Sequence, residues 1–388
     1  MIVNQWLAAA HRGDAIGDRA RRFRQLLRGL GHASEIFALT IDEDLEGEVQ
    51  PFIDPAARRG DVTILHYALP SPMTAALASL GRGRVLHYHN VTPAAYFARY
   101  DPGLFRLAVL ARRELETLVG QVDLALGVSE FNRQELETLG FSPTGVLPIA
   151  VDTARITRSG QRPAIERQLN DELVNFLFVG RIAPNKKIED YIFLAEHYKR
   201  YVDAYYRFIF VGRYDAVPRY YAMIRALISE FKMLQERFIF TGPVTDEELA
   251  VYYRRAAVYV SMSEHEGFCA PLVEAMAADV PILAYAAAAV PETLGGAGVQ
   301  FWPKDLEQAA ELAGALVFDE DFRAGVLAGQ RRRLQDFGDA RILHDLTRVI
   351  DSLRTVTPEP REAPPALDGL RAHRAEPMGR DSGPQNNQ

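Results

Sequence analysis

Cysteine is almost missing from this chain. One residue, Cys269, among 388 excludes an internal disulfide and any multi-cysteine metal cluster, a usage that suits a reducing compartment. Long apolar runs are missing too. Nothing approaches the roughly eighteen uninterrupted apolar residues of a membrane span, and the start, MIVNQWLAAAHRGD, has too short an apolar run and no basic flank for a signal peptide. A soluble, cytoplasmic protein is expected. Positive charge is not in excess: 44 Lys and Arg against 51 Asp and Glu leave a formal charge of −7, which argues against nucleic acid as a partner. The loop His11 to Gly17 (HRGDAIG) lacks the GxGxxG spacing, so a dinucleotide cofactor is not expected either. With 48% hydrophobic residues, the chain has enough apolar material for two cores of ordinary domain size.

The most informative stretch is Ser263 to Ala278, SEHEGFCAPLVEAMAA. The preceding VYVSM is a short β-branched run of the kind that makes a buried strand, Gly267 permits a turn, and Pro271 suits the first position of a helix continued by LVEAMAA. Unpaired N–H groups at such a helix start attract an anion, and phosphate fits. Two carboxylates flank it. Glu266 at the strand tip and Glu274 in the first helical turns can accept hydrogen bonds from sugar hydroxyls, whereas the plainer reading makes Glu274 a dipole partner and Glu266 a solvated loop residue.

The string EGFCAPLVEAM, with seven residues between Glu266 and Glu274, resembles the signature of glycosyltransferase family 4, retaining enzymes of the GT-B fold. That resemblance implies two doubly wound, Rossmann-like α/β domains facing a central cleft. It gives Glu266 the donor-sugar hydroxyls, Glu274 the nucleotide ribose, and the backbone of Gly267, Phe268, Cys269 and Ala270 the diphosphate. A second element of the family, glycine and arginine after a strand with a lysine five residues beyond the arginine, is matched by Gly180, Arg181 and Lys186. Lys187 stands where the family commonly has glycine, so which lysine points inward is open. The family also places a histidine near the donor sugar; His89 is taken for this role, with His87 as the alternate.

Read in order, strands are expected at 1–7, 34–39, 61–66, 84–89 and 122–128, a succession that predicts a parallel sheet. Phe23, Leu26, Leu27 and Leu30 mark a helix, with Asp18 as its cap and Gly31 as its stop. By resemblance, Gly13, Asp14 and Gly17 form a loop facing the cleft. Asp42, Glu43 and Asp44 look like the metal-binding DxD of the other glycosyltransferase fold, but a solvated acidic loop is the better reading because the nucleotide signals lie far downstream. His87 and His89 share one strand face; as metal ligands they lack an evident third partner, and His66 ends the preceding strand. Aromatics and arginines mixed between Thr92 and Leu118 leave peripheral contact with the inner face of a membrane as an alternative to an ordinary solvated surface.

The strings FLFVG, FIFVG and FIFTG, ending at Gly180, Gly212 and Gly242, predict strands of a second doubly wound domain. The expected division is a first, acceptor-side domain over 1–152, a linker over 153–171, a nucleotide-sugar domain over 172–338, a helix over 339–354 crossing back to the first domain, and a disordered tail from 355. Alanines in 281–292, where many relatives have glycines, suggest a loop that tunes donor choice, with Glu292 after its Val-Pro pair. The implied reaction is metal-independent transfer of a sugar from a nucleotide-diphosphate donor to a sugar or lipid-linked acceptor, in polysaccharide or glycolipid assembly. A disaccharide phosphorylase of similar fold and a non-catalytic nucleotide-sugar-binding subunit are the alternatives.

Overall fold

The computed structural model describes residues 1–11, 15–157 and 162–354. Gly13, Asp14 and the tail expected to be disordered lie outside the described residues. Seven parallel strands form the first sheet: β1 Val3–Ala10, β2 Ile36–Ile41, β3 Gln50–Pro51, β4 Val62–Tyr67, β5 Arg84–Tyr88, β6 Leu124–Gly127 and β7 Thr144–Val146, in the spatial order 3-2-1-4-5-6-7. The second sheet holds β8 Val174–Val179, β9 Tyr206–Val211, β10 Phe238–Gly242, β11 Val258–Ser261, β12 Ile282–Tyr285 and β13 Val299–Phe301, in the order 10-9-8-11-12-13. Helices between successive strands make each half a doubly wound Rossmann-like unit, and the two units face a cleft as in the GT-B fold.

In each sheet the strand order reverses once, between β1 and β4 and between β8 and β11. Open α/β sheets bind ligands at such switch points, beyond the C-terminal ends of the strands. The chain segments leaving β8 and β11 are the ones that carry Arg181, Lys186 and Glu266.

The repeated FxF strings have a packing cause. Register places Phe208 between Phe176 and Phe238, and Phe210 between Phe178 and Phe240, so two three-ring ladders cross the sheet. Their neighbouring ring centroids lie 4.7 to 6.1 Å apart. Burying each ring contributes about 1.5–3 kcal/mol, and each stacked pair roughly 0.5–1.5 more. The glycine ending the β9 string is obligatory: a Cβ at Gly212 would lie 2.4 Å from the Gly180 carbonyl oxygen, and its φ is +132°.

Residues 153–171 carry two short helices, Ala154–Thr157 and Pro163–Gln168. The last helix, Asp339–Arg354, places Ile342, Leu346, Val349 and Ile350 in one core with Val3, Phe23, Leu27 and Val85, and so packs on the first sheet. The first helix runs Ala15–Gly29. Asp18 therefore lies inside its first turn, paired with Arg21, and is not its cap; Gly17 is also within it. Among the described residues, no helix is long and apolar enough to cross a membrane.

Candidate active site

A turn, Pro184–Lys186, follows β8 and is tied to the loop after β11 by two hydrogen bonds: Glu264 N–H donates to the Asn185 carbonyl at 2.9 Å, and Asn185 Nδ2 donates to the His265 carbonyl at 3.0 Å. This tie brings Lys186 Nζ to 2.5 Å from Glu266 Oε1. Lys187 goes the other way. Its backbone is left-handed, φ +53°, and its Nζ pairs with Glu189 at 2.7 Å. Of the two lysines, Lys186 is thus the one facing the loop. Arg181 is exposed beside the same strand end and makes no ion pair among the described residues.

The helix after β11 spans Ala270–Ala277, so Pro271 occupies its second position and Cys269 its N-cap, in a left-handed conformation with φ +64°. A non-glycine residue there stores backbone strain, a trait that gathers at functional loops. Burial pushes the Cys269 thiol well above its usual range, so it is an inert packing group. Phe268 is buried edge-on against Phe337, and its carbonyl accepts from Thr293 Oγ1.

Glu274 is buried with both carboxylate oxygens engaged: Tyr253 Oη donates at 2.9 Å and Arg155 at 2.5 Å. Arg155, from the first short linker helix, also approaches Asp246 and Asp18. Neither Arg155 nor Tyr253 stood out in the sequence. A linker arginine follows no periodicity, and a tyrosine in the helix Asp246–Arg255 reads as core.

The first domain meets this loop closely. A Cβ at Gly267 would lie 2.6 Å from Asn90 Cβ, 3.0 Å from Asn132 Oδ1 and 3.2 Å from the His89 carbonyl oxygen. Asn90 donates to His265 Nδ1 at 3.1 Å, and burial lowers the His265 pKa to about 4, keeping that nitrogen an acceptor. Glu292 also reaches across. Its carboxylate accepts from the Glu130 and Phe131 N–H groups at 2.7 and 3.2 Å, at the start of the Ser129-capped helix Glu130–Thr138. Within the 281–292 loop, Glu292 thus binds a helix N-terminus of the opposite domain.

His89 is partly exposed at the tip of β5, next to Gly267, whereas His87 is fully buried with Nε2 donating to the Leu147 carbonyl at 2.9 Å. Burial lowers the pKa of both, that of His87 to about 4. The expected absence of a third partner is overturned, because His66 Nδ1 sits 2.9 Å from His89 Nε2. In the acidic loop, Asp42 contacts His11 at 2.7 Å.

The family model described as "Glycosyltransferase Family 4" matches residues 18–155, and that described as "Glycosyl transferases group 1" matches 174–319, one on each domain. The serotype-specific mannosyltransferase WbdA of Escherichia coli is 28% identical over 193 residues, 47% of this chain and 23% of that relative. A GDP-mannose-dependent alpha-mannosyltransferase of Mycobacterium tuberculosis is 26% identical over 234 residues, 59% of this chain and 57% of the relative. The chain thus corresponds to less than two thirds of either relative's length. Anabaena HepE, crystallised with UDP-glucose, has a similar fold, with a TM-score of 0.69 at 17% identity over 91% of this chain and 100% of its own. The fold is thus that of GT-B glycosyltransferases, and each of the two domains is similar to a glycosyltransferase family model.

Proposed function

We propose that the protein moves a sugar from a nucleoside diphosphate sugar to a hydroxyl acceptor, with retention at the anomeric carbon and with no metal ion at the diphosphate. The observation that carries this reading is the Lys186–Glu266 pair at the β8/β11 switch point, beside a helix start and next to Gly267, which the His89 backbone carbonyl approaches. A departing diphosphate gains negative charge. Lys186, Arg181 and the amides before Ala270 supply fixed positive charge and dipoles to it, and such groups stabilise a transition state without reorganising. Glu266 then takes the donor hydroxyls and Glu274 the ribose. Departure and attack on one face of the sugar, with His89 holding the ring, account for retention without a protein nucleophile.

The named activities of the two mannosyltransferase relatives make GDP-mannose the first donor to test, and the HepE complex makes UDP-glucose the second. A growing polysaccharide or a lipid-linked glycan is the acceptor class proposed, met by a cytoplasmic protein touching the membrane peripherally. Exposed Phe105 and Leu110, with Arg106 and Arg113 on the helix Pro102–Thr117, offer the surface for that contact. Thermal shifts with UDP, GDP, ADP and their sugar conjugates identify the donor, and proton NMR of the product reads its anomeric configuration. A donor that shifts nothing and an inverted product each reject part of the proposal.

Turnover should need neither Mg²⁺ nor Mn²⁺ after treatment with EDTA, because the cations proposed to meet the diphosphate are side chains. Loss of activity restored by Mg²⁺ or Mn²⁺ would refute that chemistry.

Gly267→Ala should cut kcat/KM by roughly 5- to 150-fold, the equivalent of about 1–3 kcal/mol of overpacking against Asn90 and the His89 backbone. Its far-UV circular dichroism should stay unchanged, since the crowding lies between domains. Normal turnover would mean that transfer does not need this close approach.

A further inference from the structure

Parallel pairing sets His66 of β4 directly beside His87 of β5, and His89 follows two residues on. The three ring centroids are 4.4 to 5.3 Å apart, and one nitrogen from each ring lies within 4.8 Å of those from the other two. Hydrogen bonds fix which nitrogens carry lone pairs. Gln5 Nε2 donates to the Ala20 carbonyl at 3.0 Å, so Gln5 Oε1 must accept from His66 Nε2 at 2.9 Å. A neutral His66 then offers Nδ1 as a lone pair, which His89 Nε2 meets with its proton. His87 Nε2 donates to the Leu147 carbonyl, which leaves Nδ1 as its lone pair. That nitrogen is buried and finds no hydrogen-bond partner among the described residues, in a side chain 0% exposed.

An unmet buried acceptor costs about 1–3 kcal/mol, and a chain of hydrogen-bonded histidines gives no reason to keep one. A ligand set does. The Gln5 amide oxygen and the Leu147 carbonyl hold the outer nitrogens of His66 and His87, as outer partners do for histidine ligands of metals.

We propose that His66 Nδ1, His87 Nδ1 and His89 Nε2 form a three-histidine site for a divalent transition ion, with Zn²⁺ as the best-suited occupant. Imidazole nitrogens around a tetrahedral ion with bonds of about 2.0–2.1 Å lie roughly 3.4 Å apart, so side-chain shifts of about an ångström close the set. Binding needs no net proton release. The proton on His89 Nε2 leaves and one is taken up at Nδ1, so the ring stays neutral while Nδ1 changes from acceptor to donor. The site rests on the cluster itself and not on the transferase reading. Arg19, whose charge acts on His87 and His89, opposes a dication and provides an internal control.

The test uses the full chain without a polyhistidine tag, stripped with EDTA and dialysed, then titrated with Co²⁺ under visible absorption and with Zn²⁺ as competitor. One equivalent should bind with the intense bands of a tetrahedral ion, and Zn²⁺ should displace it and raise the melting temperature. His66→Gln and His89→Gln should each weaken binding by at least ~10²-fold, the upper end of losses from outer partners alone, and Arg19→Gln should tighten it. Mg²⁺ and Mn²⁺, which favour oxygen ligands, should not compete, so this outcome is separate from whether turnover needs Mg²⁺ or Mn²⁺. No saturable binding by the wild-type chain, or unchanged affinity in folded His66→Gln, overturns the proposal. If the histidine variants fail to fold, the wild-type spectrum decides it: a weak octahedral spectrum rejects the site.

Discussion

Lys186→Ala should slow sugar transfer by about 10²-fold or more at saturating donor, the scale for removing one preorganised partner of developing charge. The side chain is placed for that part: its Nζ is 2.5 Å from Glu266, and the turn that carries it is hydrogen-bonded to the loop on which Glu266 sits. Removing it also leaves the buried Glu266 carboxylate without its cation, so melting should fall by an amount equivalent to about 1–3 kcal/mol. The control is Lys187→Ala. Lys187 pairs with Glu189, away from Glu266, so its loss should change the rate little. Equal damage from both substitutions, or a near-normal rate in Lys186→Ala, would remove Lys186 from the site.

The architecture was legible because parallel strands buried on both faces read as short apolar runs, and the FxF strings mark three adjacent strands without any knowledge of their order. Glu266 and Glu274 were legible for a local reason as well: strand, turn and helix start follow one another within twenty residues of chain. Strand order was not legible, and it decides the histidine cluster. His66 and His87 are 21 residues apart and become neighbours only because β4 pairs with β5. Arg155 was hidden similarly, since 119 residues separate it from Glu274.

Departures from the family pattern turn out to have backbone meaning. Lys187, where relatives have glycine, adopts φ +53°, and Ala288, among the alanines that replace glycines, adopts φ +51°. Both conformations favour glycine, so each of these side chains sits on strained backbone. Ala289 N–H then donates to the Glu266 carbonyl, joining that strained loop to the one that carries Glu266.

Glu274→Gln and Glu266→Gln should fail in different ways. Glu274 is proposed to hold the ribose, which does not react, and Glu266 the sugar, whose ring gains positive charge. Binding lost equally from ground and transition states raises the donor KM, whereas an interaction that strengthens only in the transition state lowers kcat. Glu274→Gln should therefore weaken both free nucleotide and nucleotide sugar, while Glu266→Gln leaves free-nucleotide affinity nearly intact and depresses turnover. Glu274 carries a second duty, because its carboxylate anchors Arg155 of the linker helix. Arg155→Gln separates the two. It removes the anchor while leaving the carboxylate in place, so nucleotide affinity lost in Glu274→Gln and kept in Arg155→Gln belongs to the carboxylate itself. Calorimetry with nucleotide and steady-state kinetics on the three variants give the comparison. If Glu266→Gln loses nucleotide affinity as severely as Glu274→Gln, the division of sugar to one carboxylate and ribose to the other is wrong.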